Sequence, residues 1–121
     1  RVSRRHQIIL IRRDKAREPV TPQALLDAIM PLVSLQARKL GVRVETRVKR
    51  GLPAVLCDRT MVEQVLLNLT RNGIQAMEGD TPLAARVLTI RARQTHERWV
   101  TFSIIDAGPG IAPEVAGRLF T

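Results

Sequence analysis

At 121 residues and 45% hydrophobic content, the chain fits one domain whose core needs no covalent staple. No apolar run approaches the length of a membrane span, and the lone Cys57 excludes an intramolecular disulfide framework, as in a reducing compartment. The net charge of +9, from 20 Lys+Arg against 11 Asp+Glu, invites an anionic ligand or partner, but three aromatics without basic–aromatic interleaving do not mark a single-strand nucleic-acid binder. The chain starts at Arg1 rather than Met and stops at GRLFT, so it reads as a piece of a larger protein.

Residues 1–17 form a basic lead-in with one apolar cluster, Ile8–Ile11, which is ambiguous between strand and helix. The chain breaks at Glu18-Pro19, because a residue before proline is pushed out of the helical region. Thr21-Pro22 is an N-cap followed by an N1 proline, and Leu25, Ile29, Leu32, Val33 and Leu40 follow at helical spacing. Gly41 offers the stop, and Pro31 should kink the helix. VRVETRV (42–48) alternates like a half-buried strand, and GLP (51–53) turns the chain into the short apolar run Ala54–Cys57.

Asp58 is placed to cap a helix over residues 61–77. On a 3.6-residue period Val62, Val65, Leu66, Leu69, Ala76 and Met77 form a core stripe, with Gly73 permitting a close approach. The opposite stripe holds Gln64, Asn68, Arg71, Asn72 and Gln75 instead of a solvated Glu/Lys mixture. Asn is a poor helix former, so two of them one turn apart cost helix stability. Amides offer a carbonyl oxygen for a hard cation and an NH2 for phosphate oxygens, and Arg71 adds a fork donor. A polar outer face that happens to carry amides accounts for the same pattern.

EGDTPL is a loop by composition, and strand-like segments follow at Arg86–Arg93 and Trp99–Ile105, with QTHE as a hairpin turn. IIDAGPGI (104–111) ends a strand in a carboxylate and two glycines. Asp106 can accept the exocyclic amine hydrogen of a purine, and Gly108 and Gly110 let backbone approach a planar ligand. An ordinary Gly-Pro-Gly turn explains the stretch equally well. Pro113 and Glu114 open a last helix. Together these elements predict an α+β fold: a two-layer sandwich with a mixed, mostly antiparallel sheet covered on one face by helices.

Taken together, two stretches resemble a family. NLTRNGIQAM (68–77) is similar to the N box of the ATP-binding domain of two-component sensor histidine kinases, and DAGPGI (106–111) to its first glycine box. RLF (118–120) resembles the start of the F box, and the likeness spans roughly residues 17–121. Gyrase-type topoisomerases, Hsp90-type chaperones and mismatch-repair ATPases share that fold.

The resemblance implies a division into residues 1–16, the end of a dimerisation helix or linker, and residues 17–121, a partial ATP-binding domain. It implies ATP and Mg2+ as cofactors. Asn72 would ligate the metal, Asn68 and Arg71 would lie near the phosphates, Asp106 would hold the adenine amine, and Gly108, Gly110 and Ile111 would shape the wall beneath the base. The water-activating relatives carry Glu where this chain has Asn68, and an amide cannot act as a general base, which favours transfer to a protein acceptor.

The implied partners are a response regulator and the parent's own homodimeric dimerisation domain, whose histidine accepts the phosphoryl group. Nucleic acid and direct membrane contact are not implied, and the domain would be cytoplasmic even in a parent anchored in the inner membrane. The family's ATP lid with its GxGxGL motif would lie beyond Thr121, and no HExxNP-like box surrounds His6 or His96. This stretch alone is therefore expected to be inactive. A serine-directed anti-sigma-type kinase shares both boxes, and a non-catalytic module with a degenerate pocket is the reading from a different class. Gly73 stands where the family commonly has Ala, a change expected to cost helix propensity and little else, and Gln75 stands where Glu is frequent.

Overall fold

The computed structural model describes residues 5–12, 18–96, 99–107 and 116–119. Its elements in chain order are β1 (Arg5–Arg12), β2 (Glu18–Val20), α1 (Pro22–Lys39), β3 (Arg43–Val48), β4 (Val55–Cys57), α2 (Arg59–Ala76), a 3-10 turn (Leu83–Ala85), β5 (Val87–His96), β6 (Trp99–Asp106) and β7 (Ala116–Leu119). The main sheet runs β3-β5-β6-β1-β7, and β2 pairs with β4 in a separate ribbon. Pairing is antiparallel at β5–β6, β6–β1 and β2–β4, and parallel at β3–β5 and β1–β7. The expected mixed, mostly antiparallel α+β sandwich is what forms.

Both helices begin where the sequence places a cap. Thr21 Oγ1 accepts from the Ala24 amide at 3.1 Å, with Pro22 at the first helical position, and Asp58 Oδ1 accepts from the Met61 amide at 3.2 Å. Gly41 takes φ +68° just past α1, a left-handed conformation that only glycine adopts cheaply. Pro31 does not end α1: it lies on the exposed face, where a carbonyl without a helical donor is open to water. Pro19 lies in β2 itself, in a two-stranded ribbon where every strand is an edge and a missing N–H is tolerated.

The core lies between one sheet face and the two helices. Leu88, Ile90 and Ala92 of β5, with Val100, Phe102 and Ile104 of β6, meet Leu25, Leu26, Ile29 and Val33 of α1 and Val62, Leu66 and Ile74 of α2. Helix α1 packs on α2 and β3, and α2 packs on β6 and β5. The buried stripe of α2 is Val62, Leu66, Thr70, Gly73 and Ile74, continued by Met77. Relative to the sequence reading, Thr70 and Ile74 join the core, while Val65, Leu69 and Ala76 are only half-buried. Thr70 is tolerated inside because its hydroxyl donates to the Leu67 carbonyl at 2.9 Å.

The ends of the chain depart from expectation. Arg5–Arg12, read as the end of a dimerisation helix or a linker, is a strand inside the main sheet, with Ile8 opposite Ser103 and Arg5 opposite Asp106. A four-residue apolar run suits a sheet interior as well as a helix, and β6 offers it a full ladder of backbone partners. The helix expected from Pro113 lies partly outside the described residues, and Ala116–Leu119 within it is a strand parallel to β1. So short a terminal helix would be marginal on its own, whereas β1 satisfies the same backbone groups. Strand β5 runs on to His96 and so takes in most of the expected QTHE turn, while β6 starts at Trp99 as expected and ends one residue later, at Asp106; the register is irregular between Gln94 and His96.

Candidate functional site

The two motifs meet where α2 crosses the end of β6. Asp106 is the last residue of β6 and is buried, with 1% of its surface exposed. Gly73 brings the helix backbone onto it: a Cβ at position 73 would lie 3.3 Å from Asp106 Oδ2 and 2.7 Å from Leu88 Cδ1. This is the close approach expected of a glycine in the core stripe, and it means that Gly73 does more than cost helix propensity. An absent side chain at 73 lets the amide-bearing helix sit directly against the buried carboxylate.

Around the α2 axis residues advance about 100° each, so Asn72 lies about 100° from Gly73, and Asn68 about 40° beyond Asn72. Both asparagines are exposed, as are Gln64, Arg71 and Gln75, so the amide stripe forms an exposed flank of the helix above the Asp106 end of the sheet. Half-buried Val65, Leu69 and Ala76 continue that flank toward the core. Arg71 lies on the other side, where it lines a recess of about 210 Å³ with Leu32, Leu35, Gln36 and Lys39 of α1 and Leu67 of α2. Its Nη2 donates to Asn68 Oδ1 at 2.7 Å. With its carbonyl oxygen held by Arg71, Asn68 presents its NH2 as the outward donor.

Behind the carboxylate the loop after α2 is tied down by contacts that the sequence does not announce. Buried Thr81 donates its hydroxyl to the Ala107 carbonyl at 3.5 Å. Arg86 clamps the same loop from outside, donating through Nε to the Thr81 carbonyl at 2.9 Å and through Nη1 to the Leu40 carbonyl at 2.7 Å. One guanidinium thereby joins the end of α1, the loop and the start of β5, which fixes the wall next to Asp106–Ala107. Within EGDTPLAAR both residues are ordinary loop composition, and only their tertiary contacts single them out.

Gly108, Gly110 and Ile111 lie outside the described residues, as do the side chains of His6 and His96. Among the described residues no group of three or more His, Cys, Asp and Glu side chains could hold a metal ion, and no helix is long and apolar enough to cross a membrane.

The close packing at position 73 carries a testable consequence. Gly73→Val forces two extra methyl groups against Leu88 and Asp106, and should lower stability by about 1–3 kcal/mol, read from the urea midpoint. Gly73→Ala gains about 1 kcal/mol of helix propensity against displacement of the flexible Leu88 tip, and should stay near wild type. Wild-type stability of the valine variant would show that α2 does not press on Asp106.

The chain is similar to known proteins in both sequence and fold. Residues 57–121 match the family of histidine kinase-, DNA gyrase B- and HSP90-like ATPases. The C4-dicarboxylate transport sensor protein DctS of Rhodobacter capsulatus is 39% identical over 84 residues, 69% of this chain and 12% of that protein. An adaptive-response sensory kinase SasA of Prochlorococcus marinus is 35% identical over 81 residues, 66% of this chain and 20% of that protein. The chain thus spans only a small part of the length of these relatives. The solved structure of Acinetobacter baumannii histidine kinase AdeS superposes with a TM-score of 0.62 at 22% identity, over 93% of this chain and 46% of that one, which shows the shared fold.

Proposed function

The chain belongs to the histidine kinase-, DNA gyrase B- and HSP90-like ATPase family, and on that premise we propose that it is the ATP-binding catalytic part of a two-component sensor histidine kinase. The observation that carries the reading is the close approach of α2 at Gly73 to the buried carboxylate of Asp106, which sets the amide flank beside a group able to accept an amine hydrogen. In this reading Asp106 accepts the adenine amine hydrogen, and the segment holding Gly108, Gly110 and Ile111 forms the wall under the base.

Mg2+ fits the donor set at one position. The amide oxygen of Asn72 is a hard neutral donor and would hold such a cation. Asn68, whose oxygen is taken by Arg71, suits a phosphate contact through its NH2. When bound, the metal neutralises charge on the triphosphate. Arg71 acts by fixing Asn68, and its guanidinium adds positive potential from the α1 side. The amide of Asn68 cannot serve as a general base toward water, which favours transfer to a protein acceptor; in this reading the γ-phosphoryl group goes to a histidine of the parent's dimerisation domain and is relayed to a response regulator.

The test is the chemistry of the phosphorylated product. Full-length protein incubated with γ-labelled ATP should carry an acid-labile, base-stable label that chases onto a receiver domain. An acid-stable label on serine would favour the anti-sigma-type alternative. Absence of label together with absence of nucleotide binding would favour a non-catalytic module.

A further inference from the structure

A second cationic feature lies on the opposite face of the sheet, away from the amide flank. On β5, Leu88, Ile90 and Ala92 point into the core, so Thr89, Arg91 and Arg93 occupy the other face. The parallel register sets Arg47 of β3 directly opposite Arg91, and Arg93 follows two residues on along the same face. Like charges directly opposed across strands destabilise a sheet, so this pairing costs stability in the protein alone. Arg47, Lys49, Arg91 and Arg93 line a shallow recess of about 320 Å³, together with Val48 and Ala92.

Carboxylates compensate little of this charge. Glu45 reaches Arg47 at 3.4 Å in an exposed pair, a geometry worth little in water. Among the described residues, Lys49, Arg91 and Arg93 have no ion pair, and the covered Nε of Arg91 has no acceptor at all. That Nε is covered, so an anion in the recess would meet Arg91 through its Nη groups. The recess is distinct from the nucleotide flank. Arg91 and Arg93 are registered against Ser103 and Thr101, about 10–17 Å along β6 from Asp106 and on the other sheet face.

We propose that the Arg47–Lys49–Arg91–Arg93 recess is a binding site for a multivalent phosphate anion of pyrophosphate class, separate from the nucleotide pocket. Four cations around one recess match two adjacent phosphate groups better than a single carboxylate, and the opposed Arg47–Arg91 pair is a stability cost that such a ligand offsets. The inference does not rest on the kinase reading, because none of its residues belongs to the N-box helix or the glycine box.

The experiment is a calorimetric titration of the full-length protein with inorganic pyrophosphate. It compares wild type, Arg91→Gln/Arg93→Gln, and a control pair, Arg38→Gln/Arg59→Gln, which removes the same charge from exposed positions at the end of α1 and the start of α2. The Arg91/Arg93 variant should bind at least tenfold more weakly, while the control stays within about threefold of wild type. Thermal unfolding of the Arg91/Arg93 variant should match or exceed wild type, because the like-charge opposition is relieved. Vesicles containing phosphatidic acid separate the sources: Arg91/Arg93-dependent sedimentation identifies a lipid headgroup, and dependence confined to free pyrophosphate identifies a soluble ligand. Equal titrations in all three proteins, or an equal loss in the control pair, overturn the proposal.

Discussion

Asn72→Ala in the full-length protein should abolish incorporation of phosphate from labelled ATP and leave the fold as it is. The side chain is exposed on the amide flank of α2, and alanine is the better helix former, so stability should change by no more than about 0.5 kcal/mol. What is lost is the hard oxygen proposed to hold Mg2+ against the triphosphate, and with it the charge neutralisation on which phosphoryl transfer depends. Unfolding followed by circular dichroism and labelling by autoradiography separate the two effects. Labelling at the wild-type level would remove Asn72 from the metal site.

The second large effect falls on the core that positions the site. Phe102 is completely buried on β6, the strand on which α2 packs, four residues before Asp106. Phe102→Ala should cost about 3–5 kcal/mol, a large share of the total stability of a domain of this size. Because β6 carries Asp106 at its end, the loosened strand should also weaken nucleotide binding, although Phe102 lies in the core and not on the amide flank. Urea titration reads the stability loss. A loss under about 1 kcal/mol would mean that the sheet–helix interface is not packed as described.

Much of this architecture is legible in the residues because the signals are local. Thr21-Pro22 and Asp58 mark the helix starts through side chain–backbone bonds within three residues, and VRVETRV announces a strand by its own alternation. The asparagines of α2 stand out because they break helix propensity without an evident local reward. What is not legible depends on partners distant in the chain. The apolar run Ile8–Ile11 does not reveal that β6 will pair with it, and Ala116–Leu119 has no strand pattern until β1 lies alongside.

The same limit applies within the site. Gly73 announces a close approach but not that Asp106 and Leu88 are what approaches, and the Arg86 clamp joins carbonyls 5 and 46 residues away. The burial of Thr70 and Ile74 shows how a helical stripe can be rotated by one position when its flanking residues are apolar on both sides.

The central claim is that the buried carboxylate at the end of β6 recognises an adenine base. Titrating the full-length protein and its Asp106→Asn variant with a non-hydrolysable ATP analogue tests it directly. Losing one charge-assisted hydrogen bond of about 1.5–3 kcal/mol should weaken binding by about ten- to 150-fold at unchanged fold stability. Equal affinity in the two proteins would contradict the account and reduce the Asp106 turn to a structural corner of the sheet.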